Sequence, residues 1–353
     1  MAPKRKTVST PPSDSIPTAR DANGSKIEMR PYYGAKDLKY VQYLVYSTYY
    51  DKVPRGVKLL LLSPWVGPPY LAWLAAVVFY LPNQLVYLGW TPSMILGARA
   101  VLAFAGIVLG LACAFYYVDR NIVSERVIEA LDNDLKDPGE YYRQDQGNFW
   151  VLTVNDVPVG CIGMDHHQSD VVKHQLAPET TSLADSEAIR QAKWKRTAYI
   201  LARIDDAMRI TVSTIHKNVK KLLFGPDKPE SSKILFPAHK PYEASVRRLA
   251  IKANLQDRGL STPLLKRVAF WAHSHQVEYL YAETDELQPK MEQVLQKRHG
   301  YELVSRKRIG LFQQKSVWRL DVKLWMSKEL EAREKRRREE EFLKEQEELK
   351  EYE

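Results

Sequence analysis

Cysteine is nearly absent from this chain. Cys113 lies in a long apolar run and Cys161 in a strand-like stretch, and these are the only two in 353 residues. Two cysteines so placed exclude a disulfide framework and a cysteine-based metal site. The first ~30 residues have a charged start but no apolar segment behind it, so no cleavable leader is expected. The net charge is +9, yet its cations are scattered and no aromatic–basic module accompanies them. Nucleic acid is therefore not the expected partner, and a bilayer surface suits the charge better. Against these absences, a hydrophobic content of 45% supports a sizeable core, and the length holds one full domain plus appendages.

Charge is scarcest between residues 59 and 118, where Arg99 is the one formal charge. The run is too long for a core helix. It divides into passes over about 70–90 and 94–118, each near the ~20 residues that cross a hydrocarbon core. Gly89, Trp90, Thr91 and Pro92 mark the break. Trp65, Tyr70, Trp90, Tyr116 and Tyr117 suit interfacial belts. Pro82 within the first pass is tolerated in membrane helices. Lys52, Arg55 and Lys58 precede the hairpin, and Arg120 and Arg126 follow it, which puts both flanks on the cytosolic side. A re-entrant hairpin in one leaflet and a buried soluble hairpin are the alternatives.

The remaining segments read in order. Residues 1–27 are polar and read as a disordered tail, with Lys4-Arg5-Lys6 as a solvated basic flank or a nuclear signal. Residues 28–65 hold the first strand and helices. Leu38, Val41, Leu44, Val45 and Thr48 recur at helical spacing, interleaved with Tyr40, Tyr43, Tyr46, Tyr49 and Tyr50, which read as packing on a sheet, lining a substrate pocket or meeting the membrane interface. The hairpin spans 66–118. Residues 119–165 hold a helix over 121–135, stopped by Asp137-Pro138-Gly139, then strands over 148–154 and 157–164 joined at Asn155-Asp156. Residues 166–242 form an insertion. Its stretch 186–224 reads as a basic amphipathic helix bearing Trp194, Arg196, Lys217 and Lys221, either on a membrane surface or packed on the domain. A proline-rich linker follows over 225–241. Residues 243–326 hold a strand, a turn, a helix, a strand over 277–283, a helix over 289–298 and strands over about 300–324. Residues 327–353 are a charge-laced helix with many i,i+4 pairs.

The stretch 246–265 carries the chemistry. A strand is followed by the turn Gln256-Asp257-Arg258-Gly259-Leu260-Ser261, and then by a helix with Pro263 in its first turn and Leu264, Leu265, Val268, Ala269 and Ala272 on one face. A fresh helix N-terminus behind a small-residue turn offers free backbone N–H groups and a positive dipole end to an anion. Arg258 adds a two-donor cation. The bland reading is a surface turn capping an ordinary helix.

The spacing of Gln256, Gly259 and Ser261 resembles the acetyl-CoA loop of the GNAT acetyltransferases, with Ser261 where that family usually has Gly or Ala. The element order, with an apolar hairpin inserted after the first helix, resembles the camello-like, membrane-anchored N-acetyltransferases, relatives of the cysteine-conjugate N-acetyltransferase. The likeness is carried by Met29-Arg30-Pro31 through Lys58, by Phe149-Trp150-Val151 with Val159-Gly160, by 248–265, and by Glu283-Thr284 with Gly300-Tyr301. It implies an α+β fold, a mixed and mostly antiparallel sheet flanked by helices, with an inserted two-helix transmembrane hairpin. It implies acetyl-CoA as co-substrate and direct attack by an amine: a small molecule, an amino-acid conjugate or a lysine. The domain would sit on the cytosolic face of the endoplasmic reticulum or another endomembrane. The cofactor-binding residues would be Leu249, Ala250, Ile251, Gln256, Asp257, Arg258, Gly259, Leu260 and Ser261. Deprotonating the amine calls for a carboxylate or imidazole, and the candidates are Glu283, matching a family Glu at this strand end, Glu243, and His166 or His167. No metal is implied. Two positions depart from the family: Gln296 stands where a thiol-protonating Tyr is common, and Pro289 where the helix usually starts with Asn. Tyr301 and Tyr281 are the available substitutes for the acid. A catalytically silent CoA-binding scaffold on the membrane is the alternative reading.

Overall fold

In the computed structural model, which describes residues 19–20, 26–143, 147–172, 234–310 and 312–351 with isolated positions between 200 and 221, one mixed sheet is covered on both faces. Its strands are β1 (Ala19–Arg20), β2 (Lys26–Pro31), β3 (Asn148–Val154) and β4 (Val157–Asp165), then β7 (Glu243–Ile251), β8 (Tyr279–Asp285), β9 (Glu302–Arg308) and β10 (Gln314–Asp321). Between them β5 (Val171–Val172) and β6 (Ile234–Phe236) form a separate two-stranded pair. The order in the large sheet is β1-β2-β3-β4-β7-β8-β10-β9. Every neighbouring pair is antiparallel except β7 and β8, which are parallel. The helices are α1 (Ala35–Tyr50), α2 (Val53–Leu61), α3 (Gly67–Gln84), α4 (Pro92–Val118), α5 (Ser124–Asp132), α6 (Pro138–Arg143), α7 (Ser261–Ser274), α8 (Pro289–Gln293) and α9 (Val322–Glu351).

Local chemistry accounts for these elements. Asn155 and Asp156 both take positive φ, 49° and 63°, as the two-residue turn that matches strand twist requires. Trp150, Val151 and Leu152 are all buried, because helices lie on both sides of β3. On one side α7 places Leu264, Leu265, Val268, Ala269 and Ala272 against Trp150, Ile162, Met164 and Leu280. Burying a Leu or Val fully contributes about 1.5–3 kcal/mol, so this face alone fixes the helix. On the other side Val41, Leu44 and Val45 of α1 meet Val151, Cys161 and Ala250.

The apolar run forms the pair α3 and α4, separated by a 3-10 turn, by Gly89 at φ +78° and by Pro92. Both helices are long and apolar enough to cross a hydrocarbon core. Trp73, Phe79, Phe104 and Leu109 are among their exposed side chains. Gly106 and Gly110 let the pair close: the Tyr70 hydroxyl donates to the carbonyl of Gly106 at 2.6 Å, and a Cβ at Gly110 would run into that same hydroxyl. At its base α4 continues through a π turn (Asp119–Val123) into α5. The helix expected over 121–135 is thus the continuation of the second apolar helix, since no Gly or Pro interrupts residues 116–132. There Val118, Ile122, Val123 and Val127 pack with Val53, Val57 and Leu60 of α2 and with Leu287 beyond β8.

Other expectations are corrected. The strand expected to run to 324 ends at Asp321, whose carboxylate accepts the N–H of Leu324 at 2.9 Å and caps α9 instead. Ile234–Phe236, expected in a linker, pairs with β5. Ala19–Arg20, expected in the tail, adds an edge to β2. The rest of the tail, and the helix expected over 186–224 apart from isolated positions, lie outside the described residues.

Strand β7 positions the site. It pairs with β8 from Glu243 to Val246 and no further, while β4 stays paired with it to Ile251. The register against β4 shifts between Cys161 and Gly163, and Arg248 takes φ +50°. This is a bulge, an extra residue that bends the strand. The Arg248 guanidinium donates to both oxygens of buried Asp134 at 2.8 and 2.7 Å, and the Tyr142 hydroxyl donates to the same carboxylate at 2.6 Å. Asp134→Ala leaves Arg248 unpaired, and the loss expected in chemical denaturation is about 3–5 kcal/mol. A loss below about 1 kcal/mol, the range of exposed pairs, would show that the bulge holds without this pair.

Candidate functional site

The turn after β7 is open to an anion. Asp257 and Gly259 take positive φ, 63° and 79°, which curls the backbone so that successive N–H groups converge. Among the described residues, the N–H groups of Asp257, Arg258, Gly259, Leu260 and Ser261 have no internal hydrogen bond. Helix α7 starts here without a side-chain cap and without an acid in its first turn. Its donors and dipole therefore remain for an external acceptor. Gln256 works differently. Its N–H is used by Ala253, and its side-chain amide donates to the carbonyl of Ile251 at 3.0 Å, so it shapes the turn. Asp257 pairs with Lys290 at 2.6 Å on the surface, and Arg258 is exposed.

Two adjoining cavities open from the parted strands. The outer one, about 520 Å³, is lined by Gln256, Asp257, Gly259, Leu260 and Ser261 of the turn, and by Lys52, Arg55, Lys290 and Arg298. The inner one, about 250 Å³, is lined by Arg247, Arg248, Leu249 and Ala250 of β7, by Glu283 and Asp285 of β8, and by Tyr49, Arg126, Phe236 and Lys315. Beyond Val246 the edge of β7 toward β8 has no strand partner, so its backbone groups border this space.

The candidate bases divide sharply. Glu283 lines the inner cavity, but Arg247 lies 3.3 Å and Lys315 2.9 Å from its carboxylate. Burial raises its pKa, and the two cations more than offset this, leaving it below the ordinary glutamate value. A carboxylate held this way is a weak base. Glu243 and His166 line neither cavity and so do not join the site. They lie at the closed end of the β7–β8 pair, where the Glu243 carbonyl meets Nδ1 of His166 at 2.7 Å. His167 is buried against Asp165 and likewise lines neither. The substitute acids also miss. The Tyr301 hydroxyl is buried in the α7-side core, and Tyr281 reaches Glu243 at 3.4 Å. Gln296 is exposed within a π turn (Val294–Arg298), and the lining residues of that segment are Val294, Leu295 and Arg298. Burial pushes the Cys161 thiol up to about 12, which leaves it inert.

Sequence reasoning missed one group, Lys52, and reached Tyr49 only as one of five tyrosines read as packing, pocket-lining or interfacial. Tyr49 lines the inner cavity, and its pKa is raised by burial. Lys52 lines both cavities, and its pKa is lowered by burial. Lys52 read only as a flank of the apolar hairpin, whereas the α1–α2 corner turns it inward. The Glu283 pairing has a pH signature. Its folded pKa is depressed, so its stabilisation is complete above the unfolded value of about 4.3 and disappears as pH falls through the folded value. Glu283→Gln is expected to cost about 1–2 kcal/mol near neutral pH, between exposed and buried pairs, with the gap narrowing as pH is taken down into the acid range below the unfolded value. Urea unfolding at neutral and at acid pH measures it, and a gap independent of pH contradicts the pairing.

No family model and no curated protein sequence matches the chain. Among solved structures, it is similar to an N-acetyltransferase from Staphylococcus aureus Mu50, at 11% identity over 52% of this chain and 72% of that one, with TM-score 0.28. It is also similar to a GNAT-family acetyltransferase structure from Desulfovibrio desulfuricans, at 13% identity over 84% and 99%, with TM-score 0.32. A third, a streptothricin acetyltransferase structure from Bacillus anthracis str. Ames in complex with acetyl coenzyme A, shares 7% identity over 52% and 66%, with TM-score 0.29. Similarity this slight leaves the functional reading to the chain's own geometry.

Proposed function

We infer that the chain is an N-acetyltransferase of the GNAT type that uses acetyl-CoA and is anchored in a membrane by α3 and α4, with the sheet on the cytosolic side. One observation carries the reading: a turn of unused N–H groups opens into a cleft where two parallel strands separate. A diphosphate on Gly259, Leu260 and Ser261 would satisfy the uncapped helix start. The extended arm of the thioester would run along the free edge of β7 past Ile251 and Leu249. The acyl carbon would then meet the amine from the inner cavity, and backbone N–H groups of β7 would stabilise the oxyanion. Arg55, Lys290 and Arg298 around the outer cavity suit a polyphosphate. Exposed apolar side chains along α3 and α4, with basic residues at their base, support the anchor.

A second reading, a CoA-binding scaffold without catalysis, is favoured by two observations. Glu283 is held ionised between two cations, and Gln296, Tyr281 and Tyr301 lie outside both cavities. Thiol release separates the two readings.

Calorimetry of detergent-purified full-length protein is expected to give an acetyl-CoA affinity within about 1 µM–1 mM, the usual span for enzyme substrates. Gly259→Trp puts a bulky side chain at a left-handed position inside the turn and is expected to weaken binding at least about tenfold. No heat of binding in wild type, or equal binding in the variant, sinks the reading. Thiol release with tyramine, spermidine or S-benzyl-L-cysteine supports the enzyme, and binding without release on all three supports the scaffold. The anchor predicts that the protein stays in the membrane pellet after alkaline carbonate extraction, whereas release into the supernatant would argue against it.

A further inference from the structure

The two cavities meet at a neck lined by Thr48, Lys52, Leu249, Gln288 and Met291, the residues common to both. A thioester reaching from the turn toward an amine in the inner cavity must place its carbonyl here. Leu249 and Met291 bring no titratable side chain. The Thr48 hydroxyl donates to the carbonyl of Ile251 at 3.3 Å, and the Gln288 amide lies 3.5 Å from the carboxylate of Asp285. Lys52 is left as the neck side chain that can take up a proton and return it.

We propose that Lys52 is the catalytic acid–base of the acetyl transfer, moving the proton between the acceptor amine and the departing thiol at the neck. This rests on the acetyltransferase reading above. The surroundings of the ε-amine suit the role. It sits 4.9 Å from the centroid of the Tyr49 ring, a contact that favours the charged form and that desolvation must outweigh. The charges facing it are Asp51 on its own corner, Arg126 from α5 and Asp285 from β8. Arg126 occupies the nearby acids, holding Asp285 at 2.7 Å and Glu286 at 2.9 Å. Among the described residues no carboxylate lies within ion-pair distance of Lys52. Burial without a paired anion lowers its pKa, which raises the fraction of neutral amine at neutral pH. Glu283, with a cation on each side, has no such freedom.

The protons and electrons balance. Neutral Lys52 takes one proton from the acceptor ammonium. The freed nitrogen lone pair forms the N–C bond, and the carbonyl π pair moves to oxygen. Its return breaks the C–S bond, and that pair leaves on sulfur. The Lys52 ammonium then protonates sulfur, and the second proton lost from nitrogen passes to water. The products are an amide, a thiol and one solvated proton, with Lys52 neutral again.

The test uses the full chain in detergent micelles. Trace labelling with isotopically marked acetic anhydride across pH, read by peptide mass spectrometry, gives the protonation midpoint of each lysine. Lys52 is expected to titrate at least about one pH unit below exposed Lys36 and Lys39, a tenfold difference in the neutral fraction, and to be protected by saturating acetyl-CoA. Lys52→Arg keeps the charge but cannot give up its proton. It should retain acetyl-CoA affinity within about threefold, while thiol release with tyramine falls at least about 100-fold. A midpoint equal to those of Lys36 and Lys39, no protection, or undiminished release in the variant overturns the proposal. The labelling arm needs only wild type and decides alone if the variant misfolds or tyramine is not accepted. Wild type that binds no acetyl-CoA in calorimetry fails at the earlier step and removes the acetyltransferase reading itself.

Discussion

The buried pairing of Arg248 with Asp134 holds the cleft open. A non-glycine residue in the left-handed region costs about 1–3 kcal/mol, and it persists when its surroundings over-determine it. Here the guanidinium is fixed by two donors on a carboxylate that also accepts the Tyr142 hydroxyl. The cost of taking these charges out of water is offset only because the pairing is bidentate and well bonded. With Arg248 held, β7 carries one residue too many to run alongside β8, and the parallel ladder stops at Val246. The free edge, the neck and both cavities follow from that one displaced residue.

Much of the framework could be read from local sequence. Asn155-Asp156 between two apolar runs specified a hairpin, because only a few residues accept two successive positive φ values. The spacing of Leu264, Leu265, Val268, Ala269 and Ala272 specified the buried face of α7. The turn from Gln256 to Ser261 read as a phosphate cradle, and its unused donors suit that use. The Asp321 cap was also readable, as an aspartate just ahead of a helical pattern, but the β-rich stretch before it masked the signal.

What stayed illegible depended on contacts far apart in the chain. Nothing in the run Val246-Arg247-Arg248-Leu249 marks Arg248 as the bulge, because its partner lies 114 residues away. Glu243 and His166 looked adjacent to the loop strand. A strand advances about 3.3 Å per residue, and the length of β7 separates Glu243 from the turn. Lys52 resembled any flanking cation until α1 and α2 formed a corner. Counting residues to Gln296 assumed a regular helix, and the π turn there changes which side chains face inward.

The continuity of the second apolar helix gives the molecule a lever. From Pro92 to Asp132 the helix runs 41 residues, about 60 Å at 1.5 Å per residue. Its far end carries Arg126, which clasps Asp285 and Glu286 on the rim of the inner cavity, and its middle packs on Leu287. Arg126 lies within about 12 Å of Val118 along the helix axis, so a few degrees of tilt about the packed stretch reach that rim as a shift of about 1 Å or less. In the membrane-anchored enzyme proposed above, the inclination of the stalk would reach that rim through Arg126 and Leu287, which would make bilayer thickness a variable that the cleft feels.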